Sequence, residues 1–122
     1  MKNLNLAVVE GNLTKDPEIK ETPTGSKLCN FYIGVNRDYK DRDGNFIPHA
    51  SFIKVTAWAK LAEICATYLK KGNRVLVNGV LRQYRWEDKD GKLHSNLQVI
   101  GKEIFFIKTG KKINAEEMMK SA

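Results

Sequence analysis

"ASFIKVTAWAK", residues 50–60, decides how this chain is read. Its middle alternates with the two-residue period of a strand. Ile53, Val55, Ala57 and Ala59 share one side, a set of small and branched apolar groups suited to a core. Phe52, Lys54, Thr56 and Trp58 share the other. The two largest rings therefore sit with a lysine and a threonine, away from the core set. Either the sheet is covered on both faces, or this face is open and its rings meet a flat partner. Nucleic-acid bases are such a partner, and a lysine between the rings would neutralise a phosphate.

Helical spacing begins directly after this strand. In "KLAEICATYLKKG", Leu61, Ile64, Cys65, Tyr68 and Leu69 recur at the spacing of one buried helical face. Lys70 and Lys71 are expected in its last turn, and Gly72 as its C-terminal cap. On the N-terminal side, "NLAVVEGNL" reads as a first strand. "KLCNFYIGVNRDY" reads as a second, with Cys29, Phe31, Ile33 and Val35 inward. "KDRDGNF" is a loop with Asp-Gly at its tip. Beyond the helix, "NRVLVNGVLRQYRWE" is a long strand with Val75, Val77, Gly79 and Leu81 on one face. "DKDGK" turns it back into "LHSNLQVIGKEIFFI".

The order is three strands, a helix and two strands. It predicts an all-β fold with one helix: an OB-fold, the five-stranded Greek-key barrel, here with long hairpin loops. An open antiparallel sheet with one helix across it is the competing topology. Residues 1–108 form the predicted domain, and 109–122 a short flexible tail of weak helical character.

At 122 residues the chain suits one domain. Its net charge of +7 favours a polyanionic partner, nucleic acid or an acidic membrane surface. A membrane-surface protein would need an amphipathic basic helix, and the helix here has few cations outside its ends. No apolar run approaches a membrane span, and Glu10 interrupts the N-terminal apolar stretch before a signal-peptide core forms. The expected location is the cytoplasm. Cys29 and Cys65 sit in apolar patterns and are expected as buried free thiols.

Two further clusters join aromatic with basic residues. Arg82, Tyr84 and Trp86 share a parity at the distal end of the fourth strand, and Arg37 and Tyr39 lead into the first Asp-Gly loop. The competing account of each is a self-packed hairpin tip. Catalysis finds little support. His49 and His94 each stand alone, without a cysteine at zinc-like spacing. Asp41, Asp43, Asp88 and Asp90 fall in the two hairpin loops, where turn formation accounts for them. No phosphate-cradling loop or nucleophile elbow is present. No enzyme activity, cofactor or metal is expected.

"GNLTKDPE", "TPTGSKLCNFYIGVNR", "KLAEICATYLKKGNRVLVNGVLR" and "WEDKDGK" closely resemble the bacterial single-stranded DNA-binding proteins. The likeness runs without gaps from the first strand to Trp86 and more loosely to Ile107. It implies a non-catalytic OB-fold protein that assembles as a homotetramer and acts in DNA replication, recombination and repair, in the bacterial nucleoid. Stacking aromatics then fall on Tyr39, Phe52, Trp58 and Trp86, with ring type differing from the family's commonest choice at three of these positions. DNA-facing cations fall on Lys54, Lys60, Lys71, Arg82 and Arg85. Of these, Lys60, Lys71 and Arg85 rest on the resemblance alone, and Tyr84 on parity alone. The family recruits replication and repair proteins through an acidic C-terminal tip. Here "EEMMKSA" carries only Glu116 and Glu117, so recruitment is expected only where the native chain has such a tip. Glu10 stands where the family has an apolar residue in its subunit contact. The alternatives are an RNA-binding or primosomal OB-fold protein, or a small metal-dependent nuclease.

Overall fold

The computed structural model describes residues 1–120, the side chains of residues 119 and 120 excepted. In chain order the elements are β1 (Ala7–Leu13), β2 (Glu18–Glu21), β3 (Lys27–Asn36), β4 (Tyr39–Lys40), β5 (Phe46–Ile47), β6 (Ala50–Trp58), α1 (Ala59–Tyr68), β7 (Arg74–Glu87), β8 (Leu93–Lys108), β9 (Lys111–Asn114) and α2 (Ala115–Lys120). β1 pairs antiparallel with both β3 and β7, β3 pairs with β6, and β7 pairs with β8. A short parallel contact, Val55 opposite Val99 and Thr56 opposite Ile100, joins β6 to β8 and closes the ring. The five long strands thus run β1-β3-β6-β8-β7 around a barrel, and in chain order α1 connects β6 to β7. This is the OB-fold that the alternation and the single long helix predict.

The inward parity builds the core. Phe31, Ile33, Val55, Val75, Val77 and Ile104 are fully buried, and α1 adds Ala62, Ile64 and Cys65. Cys29 and Cys65 are free and buried. Burial pushes the Cys29 thiol up to about 11 and raises Cys65 as well, with Cys29 nearby adding to the effect on Cys65. Ring closure needs bare backbone at two crossings. A Cβ on Gly11 would overlap the Gly34 carbonyl oxygen, and one on Gly79 the Ile100 carbonyl oxygen. Gly79 also marks the register shift between β7 and β8. Such a bulge raises the local twist of the pair just before the point where β8 meets β6.

Several local expectations are corrected. α1 ends at Tyr68 with no basic residue in its last turn, so Lys70 and Lys71 lie beyond it. Leu69 leaves the helix extended and is itself buried, which stops the helix before those lysines. Gly72, at φ +89°, is not the helix cap. It occupies the turn closed by the Asn73 N–H on the Lys70 carbonyl (3.0 Å) and donates its own N–H to the Leu13 carbonyl (2.8 Å). Ala59, read as inward, is exposed at φ +56°, where the strand turns into the helix. Leu81 is exposed too, because β7 has left the barrel by that point. β9 pairs with β8, Ala115 is buried, and Met118 packs against the core. Ser121 and Ala122, the end of the expected tail, lie outside the described residues. Among the described residues no helix is long and apolar enough to cross a membrane.

Candidate nucleic-acid interface

Residue parity carries the outer face. β3 and β6 align Gly34 with Phe52, Tyr32 with Lys54, Asn30 with Thr56 and Leu28 with Trp58. Phe52 is 70% exposed and Trp58 38% exposed, so neither ring is core. Gly34 lies beneath the Phe52 ring, and a Cβ there would sit 3.6 Å from it, at ordinary contact distance. Thr56 departs from the face's exposed character, at 4% exposure. Its hydroxyl lies 2.8 Å from Asn30 Oδ1 and 2.9 Å from Gln98 Oε1. One hydroxyl proton serves one of these acceptors, so the other carboxamide must turn its NH2 toward the hydroxyl. This polar triad seals the floor of the open face.

Beyond the barrel, β7 and β8 continue as a two-stranded arm. Residues 81–97 are exposed throughout except for Asp88. A groove of about 400 Å³ runs between the arm's base and the β3–β6 face, lined by Asn30, Lys54, Trp58, Arg82, Tyr84 and Gln98 among others. Arg85 and Gln83 also border it, although their parity is opposite to that of Tyr84. Gln83 Oε1 accepts from Arg85 Nε and Nη2 at 3.1 and 2.8 Å. Further out, Tyr84 and Trp86 stack with centroids 5.5 Å apart, and Trp86 stacks on His94 at 5.3 Å.

The structure thus gathers Lys54, Trp58, Arg82, Tyr84 and Arg85 around one groove. Lys60 borders an adjoining depression beside Trp58. Phe52 shares the β6 face but lies in a separate apolar hollow with Leu81 and Leu97. Trp86 projects on the arm, and exposed Tyr39 sits on the β4–β5 hairpin. Lys71 is not in the groove. It lies in the turn after α1, where its backbone N–H donates to Asp16 Oδ1 (2.8 Å).

Sequence reasoning missed Lys20, Asn30 and Gln98 in the groove, and Lys40, whose ammonium stands 5.1 Å over the Phe46 ring. It also passed over His94. Counting outward from the Asp88–Lys92 turn places His94 opposite Trp86, so that signal was available.

The loop aspartates serve turns. Asp41 Oδ1 accepts from the Asp43 and Asn45 N–H groups, and Asp88 Oδ1 from those of Asp90 and Lys92, all at 2.9 Å. The His94 bond, then the Lys92 and Asp90 N–H groups, hold the Asp88 carboxyl below its ordinary range. Among the described residues no group of three or more His, Cys, Asp or Glu side chains is placed to hold a metal ion.

The model of the single-strand binding protein family matches residues 4–107. The chain belongs to that family. A single-stranded DNA-binding protein 1 of Clostridium acetobutylicum is 40% identical over 109 residues, spanning 88% of this chain and 97% of that one. A single-stranded DNA-binding protein 2 of Chlorobaculum tepidum is 35% identical over 118 residues, 96% of this chain and 79% of its own length. Among solved structures, a Plasmodium falciparum SSB in complex with ssDNA superposes with a TM-score of 0.81 at 23% identity, over 88% of this chain and 98% of that chain. That likeness establishes the shared fold. β9 and α2 begin beyond the residues that the family model matches.

Proposed function

We propose that this protein binds and protects single-stranded DNA, without strong sequence preference, during replication, recombination and repair. Bases stack on Tyr39, Phe52, Trp58 and Trp86, with Tyr84 beside Trp86. Lys54, Lys60, Lys71, Arg82 and Arg85 neutralise the backbone. The observation that carries this reading is the groove between the β6 face and the arm, where Trp58 and Tyr84 share an open surface with Lys54 and Arg82. Every base has a π-face, so such a surface grips a strand without reading it. A duplex hides those faces. Membership in the family and the names of its relatives support the same ligand.

By the family's habit, our reading is of a homotetramer working in the bacterial cytoplasm, at the nucleoid. Titration with oligo-thymidine and with duplex DNA tests the reading. Tight binding of the single strand alone is expected, with log K falling against log salt by about 0.7 per neutralised phosphate. Equal affinity for duplex, or an affinity indifferent to salt, would overturn it.

A further inference from the structure

The arm lacks what usually orders a hairpin. From Leu81 to Leu97 all but Asp88 is exposed, and a two-stranded ribbon alone is marginal in water. Yet Trp86 stands on this ribbon with both of its ring contacts made inside the arm. Tyr84 lies on the same strand at the same parity, its ring 28° from the indole plane. His94 lies directly across the ladder, its ring 18° from the indole plane.

His94 is itself anchored. Its Nε2 is 2.7 Å from Asp88 Oδ2. An ionised carboxylate only accepts, so Nε2 carries the proton. The other Asp88 oxygen accepts from two turn N–H groups. One carboxylate therefore joins the closed end of the hairpin to the imidazole, and the imidazole joins it to the indole.

We propose that His94 is a positioning residue for DNA binding: clamped by Asp88, it holds the Trp86 ring as a fixed stacking platform on the arm. The inference rests on the single-strand-binding reading for its effect on DNA. The clamp itself is a property of the free protein. A ring fixed before binding loses less freedom when a base lands on it. A second ring on the ladder also enlarges the flat surface that a strand meets.

The test uses a Trp58→Phe background, which leaves Trp86 as the only tryptophan of the chain. Within it, the parent is compared with His94→Ala and His94→Phe. Acrylamide quenching and emission anisotropy of the free proteins report the clamp, and oligo-thymidine titration reports its consequence. His94→Ala should raise quenching, lower anisotropy and weaken binding about threefold to tenfold, the range of one aromatic contact. The melting temperature should stay within error, since the arm lies outside the core. His94→Phe keeps a ring against the indole and should restore most of the affinity. Unchanged quenching and affinity in His94→Ala would overturn the proposal, as would equal losses in His94→Ala and His94→Phe. If the protein with both tryptophans in place fails to bind oligo-thymidine, the functional reading fails, while the quenching comparison in the Trp58→Phe background still judges the clamp.

Discussion

Phe31 and Phe106 lie inside the barrel, while Tyr84 and Trp86 lie on the arm, and the four rings are held by different means. The barrel rings are nearly inaccessible and are fixed by contact with strands and helix on all sides. The arm rings are about half exposed and are fixed by one another, by His94 and by a turn carboxylate. Burial supplies the barrel's stability at roughly 25 cal/mol per Å² of apolar surface. The arm has almost no such term. It relies on its backbone ladder, its Asp88-capped turn and ring stacking. A binding protein gains from this division, because rings that must meet bases cannot also be buried.

The sharpest test of that division is a substitution at the joint. Gly79 stands where β7 passes its last partner on β1, at the register shift with β8, and a Cβ there runs into the Ile100 carbonyl oxygen. Backbone cannot yield as a side-chain tip can. Gly79→Ala should cost roughly 3 kcal/mol, the upper end of overpacking penalties, visible as a large fall in melting temperature. A normal melt would mean that the barrel's closure is looser than the crossing implies.

Next in size comes Trp58→Ala. The ring is partly exposed and should leave no core cavity. Binding to oligo-thymidine should weaken by about 1–3 kcal/mol, with the melt nearly unchanged. A true core tryptophan would instead cost the fold about 3–5 kcal/mol. Thermal melting and titration of the one variant separate body face from body core.

Much of this contrast was legible in the sequence, because alternation reports faces directly. Cys29, Phe31, Ile33, Val55 and Ala57 pointed inward as read, and Phe52 and Trp58 outward. Parity failed where a third element covered the face: Thr56 has the outward parity, yet Asn30 and Gln98 close over it. It failed again at Leu81, because periodicity does not show where a long strand leaves its barrel. Pattern is also silent on proximity. Tyr39 and Lys71 carried the right chemistry, but neither lines the groove. After Lys108 the elements β9 and α2 are short, and the packing of Ala115 and Met118 against the core is not a feature that residue pattern reports.

A smaller effect is expected where strand meets helix. Ala59 holds φ +56°, a left-handed conformation that costs an L-residue about 1–2 kcal/mol. Glycine removes that strain but gains freedom in the unfolded chain. Ala59→Gly should therefore raise stability by a net of about 0.5–1 kcal/mol in denaturant melts. Affinity for a single strand should hold, since Trp58 keeps its extended backbone at φ −118°. A loss of affinity without a loss of stability would show that the strained junction aims the Trp58 ring.

The smallest effect separates the two regions by acid. The Asp88 carboxyl is lowered from 3.8 in the folded arm, chiefly by the His94 bond. A depressed folded value stabilises the arm above the ordinary carboxylate range, and that contribution fades as pH falls through the lowered value. Protonation removes the ionised acceptor for His94 and weakens the hold on the Asp90 and Lys92 N–H groups. The barrel's own titrating groups behave differently: the Cys29 thiol, raised to about 11, stays neutral throughout acid. Below the ordinary carboxylate range, Trp86 emission in the Trp58→Phe background should therefore loosen toward that of a mobile ring. Far-ultraviolet ellipticity from the barrel should persist at the same pH. Asp88→Asn should show the loosened signal already at neutral pH and little further change in acid. If arm and barrel signals instead fall together in the parent, the arm is not an independently held region, and its rings owe their order to the barrel.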